Sequence, residues 1–264
     1  TSGPHAPVAR ARLNPRMFQS HHHPAIDSTN DQALRVWRAA CRAGSPRPQL
    51  VTAAEQTAGR GRMGRAWSSP AGGLWLSIAW PLSDALSLNS TGGGRISTAP
   101  LVVGLAVAEA VEQAAGAHCL IKWPNDLLLD DRKLAGILCQ YQADADHPVL
   151  IIGVGLNANF PADDLGDGLR HPATSLLDHL GRPADLPDLR AAVAEAIGQR
   201  LVHWNQSGVN GLLTPIRDRL AWRDQPVRAD LPGGQTITGR LTDIDTAGRL
   251  RLTTVDGDRT IDVG

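Results

Sequence analysis

The most restrictive stretch of this chain is Val149-Leu150-Ile151-Ile152-Gly153-Val154, which has no polar residue on either alternate face. A strand with one side in water shows polar residues at every second position. An unbroken run therefore demands a sheet covered on both faces. Leu74, Leu76, Ile78 and Trp80 alternate with Trp75, Ser77 and Ala79, a second strand partly buried on both sides. Further strands are predicted near Leu50 to Glu55, at Cys119 to Lys122, and at Leu127 to Leu129 and Lys133 to Tyr141. The last two flank Asp130-Asp131-Arg132, a polar turn that makes them a hairpin.

Helical periods lie between these runs. Thr29 followed by Gln32 reads as a capping box, with Ala33, Leu34, Trp37, Ala40 and Cys41 recurring at helical spacing before Gly44. Thr98 is placed to cap a helix with Leu101, Leu105, Ala108 and Val111 on one stripe, stopping at Gly116. Two more helices are expected, over Leu189 to Trp204 and Val209 to Trp222. The sum is an α+β body with a mixed sheet. From residue 223 the chain changes character. Turns at Pro232-Gly233-Gly234, Asp245-Thr246-Ala247-Gly248 and Asp256-Gly257 separate four short β-like runs, a small antiparallel barrel. At the other end, Pro4, Pro7, Pro15 and Pro24 with no apolar period predict a poorly ordered lead-in. Asp84 to Arg95, with Gly92-Gly93-Gly94, reads as a mobile surface loop. The division is then 1–24 lead-in, 25–222 body and 223–264 barrel.

Charge and composition remove whole classes of function. Lys+Arg and Asp+Glu both number 26, so the net charge is zero, a poor match to a dedicated nucleic-acid or anionic-membrane binder. The lead-in is too short for a helix-turn-helix or winged-helix module. No apolar run is long enough to span a bilayer, and the N-terminus lacks a secretory pattern, so a soluble protein is expected. Three cysteines do not make a disulfide framework and fit the reducing cytoplasm.

Four segments carry candidate chemistry. Gln56-Thr57-Ala58-Gly59-Arg60-Gly61-Arg62-Met63-Gly64-Arg65-Ala66-Trp67 combines glycines, which let backbone N–H groups approach a ligand, with permanently charged arginines. It suits a phosphate, a carboxylate or both, but matches neither P-loop nor dinucleotide-fold spacing. By itself it equally describes a solvated loop or an Arg/Gly RNA-binding segment. Lys122-Trp123-Pro124-Asn125-Asp126 puts opposite charges at a strand end, with Asp126 able to hold a Mg²⁺ that bridges phosphate oxygens, or simply forming a turn. Lys133-Leu134-Ala135-Gly136-Ile137-Leu138 has a glycine inside a strand, which fits a ligand lying close to the backbone, or Lys133 is an exposed lysine at the hairpin turn beside Asp130 and Asp131. Gly153-Val154-Gly155-Leu156-Asn157 ends the buried strand with paired glycines and an amide able to read a nucleobase edge, or makes a tight exit turn. The adjacent histidines His21-His22-His23 lack ligand spacing. Cys41, Cys119 and Cys139 sit in apolar patterns as core residues do, and no nucleophile elbow is present.

In this order, together with Ser28-Thr29-Asn30, these segments resemble the biotin protein ligase family from about Ala25 to the C-terminus. The resemblance implies a class II synthetase-like biotin–lipoate ligase fold followed by an SH3-like barrel. It implies an enzyme that uses ATP and Mg²⁺ to convert biotin to biotinyl-5'-AMP and pyrophosphate, then biotinylates a lysine of the biotin carboxyl carrier domain of an acyl-CoA or acetyl-CoA carboxylase. By the same resemblance Ser28, Thr29, Asn30 and Gln56 face the ureido ring, with Arg60 and Gly136 helping through the backbone. Gly59 to Trp67, including Gly61, form the biotin-binding loop, Arg62 contacts phosphate, and Trp67 closes against adenine. Lys133 meets the biotin carboxylate and the α-phosphate. Lys122, Asn125, Asp126, Gly155 and Asn157 line the nucleotide side, with Lys133, Arg62 and Asp126 as the catalytic set. Met63 departs from the family, where many members carry another basic residue. The short N-terminal segment resembles the monofunctional class that binds no DNA.

The chemistry needs such residues. A carboxylate must lose its charge and gain a leaving group before an amine can attack it, and adenylation does both. Pre-placed cations then stabilise the charge that spreads over the phosphoryl oxygens. The mixed anhydride is water-sensitive, so a loop must close over it. A lipoate ligase shares this logic and is the rival within enzymes, while an octanoyl transferase would need a thiolate. An Arg/Gly nucleic-acid-binding regulator is the alternative from another class.

Overall fold

The computed structural model describes residues 17–82, 96–143, 147–166, 169 and 171–262. In chain order the regular elements are β1 (Gln19–Ile26), α1 (Thr29–Arg42), β2 (Gln49–Gln56), β3 (Leu74–Pro81), α2 (Ala99–Ala115) and β4 (Leu120–Lys122). They continue with β5 (Asp126–Leu129), β6 (Arg132–Gln142), β7 (Val149–Leu156), α3 (Leu176–Leu180), α4 (Leu186–Ser207) and α5 (Leu213–Asp218). Four strands complete the chain: β8 (Pro226–Asp230), β9 (Thr236–Ile244), β10 (Leu250–Thr254) and β11 (Gly257–Ile261).

A seven-stranded sheet of order β1-β2-β3-β7-β6-β5-β4 forms the body. β1 pairs in parallel with β2 and every other pairing is antiparallel, so the sheet is mixed. The all-apolar run becomes β7, paired on one side with β3 and on the other with β6. Its two faces meet different layers, as its composition requires. Leu150, Ile152, Val154 and Leu156 join the large core under α2 and α4, while Val149 and Ile151 pack with Ala33, Trp37, Val51 and Ala79 under α1. Along that second face the β7 side chains shrink from Val149 and Ile151 to Gly153 and Gly155. Filled space thus gives way to open space along one strand, and this taper positions the site.

The lead-in reading is corrected for residues 19–24, which belong to β1; residues 1–16 and the expected loop's residues 84–95 lie outside the described set. Sequence masks this strand because it is a sheet edge, where alternation is weak and Pro24 needs no ladder partner. Its histidines serve the pairing with β2: His21 Nε2 is 2.9 Å from Gln49 Oε1, and His22 Nδ1 is 3.0 Å from Thr52 Oγ1.

Two predicted caps differ in detail. The N-cap of α1 is Ser28 rather than Thr29, and no side chain caps it, because the Thr29 hydroxyl is engaged with Gln56 and Ser77. Thr98 is the N-cap of α2, yet its hydroxyl accepts from the buried Trp204 Nε1 at 2.9 Å and ties α2 to α4. Gly116 ends α2 at φ +69°, as predicted. The β5–β6 turn holds Asp130 and Asp131 at φ +51° and +58°, the left-handed pair that a two-residue hairpin requires. The helix expected over 209–222 is broken into a short 3-10 turn at Asn210–Leu212 and α5.

The C-terminal runs form a four-stranded antiparallel sheet of order β11-β10-β9-β8, turning where the glycines predicted. It docks on the body. Trp123 Nε1 donates to Gly248 O at 2.8 Å, Arg217 pairs with Asp243 at 2.7 Å and donates to Ile244 O at 2.8 Å. Among the described residues no helix is long and apolar enough to cross a membrane.

Candidate active site

Register brings the separate motifs into one row. Trp75 of β3, Gly155 of β7, Gly136 of β6, Asp126 of β5 and Lys122 of β4 stand directly opposite one another across five strands. Opposed residues share a face, so two glycines in mid-row leave a trough whose far wall is charged. Trp67 lies in the trough. A β-carbon at Gly155 would stand 2.5 Å from its Nε1, and one at Gly136 would stand 2.9 Å from its Cζ3. Both positions must be glycine for the indole to lie flat on the sheet.

The charged wall is a three-residue cluster. Asp126 accepts an ion pair from Lys133 Nζ at 2.7 Å and a longer one from Lys122 Nζ at 3.9 Å. Lys133 Nζ also stands 5.0 Å from the Trp67 ring centroid, over its face, and Lys122 Nζ stands 5.7 Å from that of Trp222. Asn125 donates to Ile137 O at 3.0 Å, and its carbonyl faces Arg62 Nη1 at 3.5 Å. The Gly/Arg segment is closed at its base by Trp67 N–H to Gly59 O at 2.9 Å and by Gly61 N–H to Arg65 O at 2.8 Å. At its tip Met63 takes φ +58° and is 76 % exposed. Arg60 pairs with Asp31 of α1.

The opposite wall is uncharged. Ser28, Thr29 and Asn30 are buried at the start of α1. The Thr29 backbone N–H donates to Gln56 Oε1 at 2.8 Å, and Gln56 Nε2 donates to Ser69 Oγ at 2.7 Å. Asn157, 2 % exposed, donates to Thr174 O at 3.0 Å and leaves its own carbonyl oxygen without a hydrogen-bond partner.

Every site residue predicted from sequence except Gly59 and Gly64 lines one cavity of about 660 Å³. Gly59 is needed beneath it instead: a β-carbon there would stand 2.4 Å from Trp67 O. Asp126 does not fit its expected part as a Mg²⁺ ligand. Its carboxylate already faces two ammonium groups. A dication entering there would meet like charge. Burial pushes the Cys119 and Cys139 thiols up to about 12, and neither lines the cavity, which removes both as thiolate nucleophiles.

Sequence reasoning missed six contributors. Ser77 and Gln140 hydrogen-bond the α1 residues from beneath, and alternation shows them only as ordinary strand positions. Val227, Ala229 and Leu231 of the C-terminal sheet and its approach, with Trp222, close the cavity from a distant part of the chain.

The chain is similar to known proteins in sequence and in fold. The sequence model of the Biotin/lipoate A/B protein ligase family matches residues 23–157, and that of the Biotin protein ligase C terminal domain matches residues 224–264. The chain is 35% identical to the bifunctional ligase/repressor BirA of Bacillus spizizenii over 81% of its own length and 64% of the relative's, so it spans just under two thirds of that protein. It is 34% identical to the biotin–[acetyl-CoA-carboxylase] ligase of Mycobacterium tuberculosis, over 77% of this chain and 72% of that one. Its fold superposes on a biotin protein ligase from Aquifex aeolicus in complex with biotin and ATP with a TM-score of 0.76 at 27% identity, covering 92% and 94% of the two chains. With the matched region spanning more than half its residues, the chain belongs to the biotin/lipoate A/B protein ligase family.

Proposed function

We propose that this chain is an ATP-dependent biotin–protein ligase of the cytoplasm. It activates biotin as biotinyl-5'-AMP and transfers the biotinyl group to a lysine of the biotin carboxyl carrier domain of an acyl-CoA carboxylase. The observation that carries this reading is the single trough that joins an uncharged wall at Thr29 and Gln56, a glycine floor under Trp67, and a cationic wall at Lys133, Lys122 and Arg62. Such a trough suits a molecule with a neutral hydrogen-bonding ring at one end and an acid at the other, beside a nucleotide.

Biotin's ureido ring sits against Thr29, Asn30 and Gln56, and its carboxylate reaches Lys133. The carboxylate oxygen attacks the α-phosphorus of ATP, an O–P bond forms, and the bond to pyrophosphate breaks. Lys133 and Arg62 face the oxygens on which charge accumulates, so they stabilise the transition state more than the separated reactants. The Asp126 carboxylate holds the Lys133 ammonium over the floor while Lys122 shares its charge. Mg²⁺ would come with ATP as the Mg·ATP substrate, which needs no dedicated carboxylate cage. Trp67 stacks on adenine, and the unpartnered Asn157 carbonyl oxygen accepts from its amino group. In the second step a carrier lysine amine attacks the biotinyl carbonyl, an amide bond forms, a proton leaves the nitrogen, and AMP departs. No protein nucleophile takes part, consistent with the raised thiols.

The test is pyrophosphate release from Mg·ATP with biotin, lipoate or octanoate as the acid. Release with biotin alone is expected. Release with lipoate alone would move the substrate assignment within the family, and no release with any acid by folded protein would refute the ligase reading.

A further inference from the structure

Ser77 of β3 is fully buried and does not line the cavity, yet it touches two residues that do. Its Oγ stands 2.7 Å from Thr29 Oγ1 and 2.6 Å from Asn30 Oδ1. Thr29 Oγ1 is in turn 3.0 Å from Gln56 Oε1. Gln56 Nε2 donates to Ser69 Oγ, and the Ser69 hydroxyl reaches Trp67 O at 3.3 Å. On the other side the Asn30 amide meets that of Gln140 at 2.9 Å. To get there it crosses Gly153, which stands opposite Ser77 and where a β-carbon would be 2.2 Å from Asn30. One continuous series therefore runs from Gln140 to the backbone of the Gly/Arg loop.

Counting hydrogens gives the series a direction. With the Asn30 oxygen toward Ser77, three oxygen–oxygen contacts share only the two hydroxyl hydrogens of Ser77 and Thr29, and one contact goes without. A half-turn of an amide exchanges oxygen and nitrogen at unchanged distances. If Asn30 and Gln140 both take the turned orientation, Gln140 donates to Asn30, Asn30 to Ser77, Ser77 to Thr29 and Thr29 to Gln56. Each contact then has its own hydrogen. Thr29, its hydrogen committed to Gln56, presents the cavity with a lone pair, which suits a ligand N–H.

We propose that Ser77, with Gln140 behind it, is a positioning residue for the uncharged half of the site. It passes the hydrogen-bond direction from Asn30 to Thr29 and so fixes the Thr29 hydroxyl and the Gln56 amide that face the ligand. This rests on reading the cavity as the biotin and ATP site. The role is specific to the acid substrate, because neither residue approaches the charged wall.

The experiment is a double-mutant cycle of Ser77→Ala, Gln140→Ala and the pair, followed by steady-state pyrophosphate release and by hydrogen exchange of the ligand-free protein. Each single change is expected to raise KM for biotin about tenfold, leaving kcat and KM for ATP within about twofold, with the pair no worse than the worse single change. Exchange of the Thr29 backbone N–H, which donates to Gln56, is expected to quicken in both. Multiplying effects, or an equal rise in both KM values, would overturn the proposal, as would unchanged exchange of the Thr29 N–H. Should the wild-type protein release no pyrophosphate with biotin, the ligase reading fails by itself, and the ligand-free exchange still decides the Ser77 series. Should Ser77→Ala fail to fold, Gln140→Ala, at the partly exposed end, carries the same readouts.

Discussion

Replacing Gly155 by alanine tests whether the glycine floor seats Trp67. The new β-carbon would stand 2.5 Å from Trp67 Nε1, 2.7 Å from Cε2 and 3.0 Å from Cζ2. The ring must retreat by about 1 Å to regain van der Waals separation. It cannot slide along the trough, because the same ring already covers Gly136 and has the Lys133 ammonium over its face. The backbone itself tolerates alanine, since φ at Gly155 is not in the left-handed region. Glycine in a strand interior is destabilising relative to alanine by about 0.5–1 kcal/mol, so the strand does not lose by the change. The cost therefore falls on function. An aromatic platform displaced by about 1 Å is expected to lower kcat/KM for ATP about a hundredfold. The assay is pyrophosphate release at saturating biotin with ATP varied, alongside a calorimetric Tm as a fold control. Unchanged ATP kinetics with unchanged Tm would refute the argument that this floor sets the nucleotide platform. A large fall in Tm would also refute it, by showing that the strand absorbs the clash and not the ring.

Lys133→Met should lower kcat/KM for adenylation about a hundredfold or more, with little change in Tm, because it removes the cation nearest the developing charge; single-turnover pyrophosphate release measures this. Arg62→Gly should let the adenylate escape before transfer, so that bystander lysines on an unrelated protein become biotinylated in a streptavidin blot; strict carrier specificity would contradict the role given to the loop. Glu112 is held below its ordinary value of 4.5, chiefly by the Arg219 hydrogen bond and then by His118. Because the folded value is the lower one, its contribution to stability is complete above about pH 4.5 and is lost as pH falls through the folded value. The Tm difference between wild type and Glu112→Gln should accordingly close as pH is lowered below that point.

Sequence made the layers and the motifs legible wherever the cause was local. The apolar run of β7 required two covering layers and found them in α1 on one face and α2 with α4 on the other. The Asp130–Asp131 turn, the Gly116 stop and the four C-terminal strands follow from residues that carry their own conformational preference. The chemistry of the Gly/Arg loop and of Lys133 was likewise readable, because charge and backbone freedom belong to the residues themselves.

Tertiary structure decided what depends on register and on partners distant in sequence. Nothing in residues 19–26 announces a strand, because an edge is defined by its neighbour β2. The Thr29 hydroxyl was expected at a helix cap and is drawn instead to Gln56 and Ser77, which offer it buried partners that local geometry could not foresee. Asp126 reads from sequence as a carboxylate near Lys122 and able to hold a metal, and only the pairing of β5 with β6 brings Lys133 onto it as well. Sequence determined which groups were available, since propensity and charge are properties of single residues. The fold determined which of them meet, since a contact across strands exists only once the sheet has fixed their register.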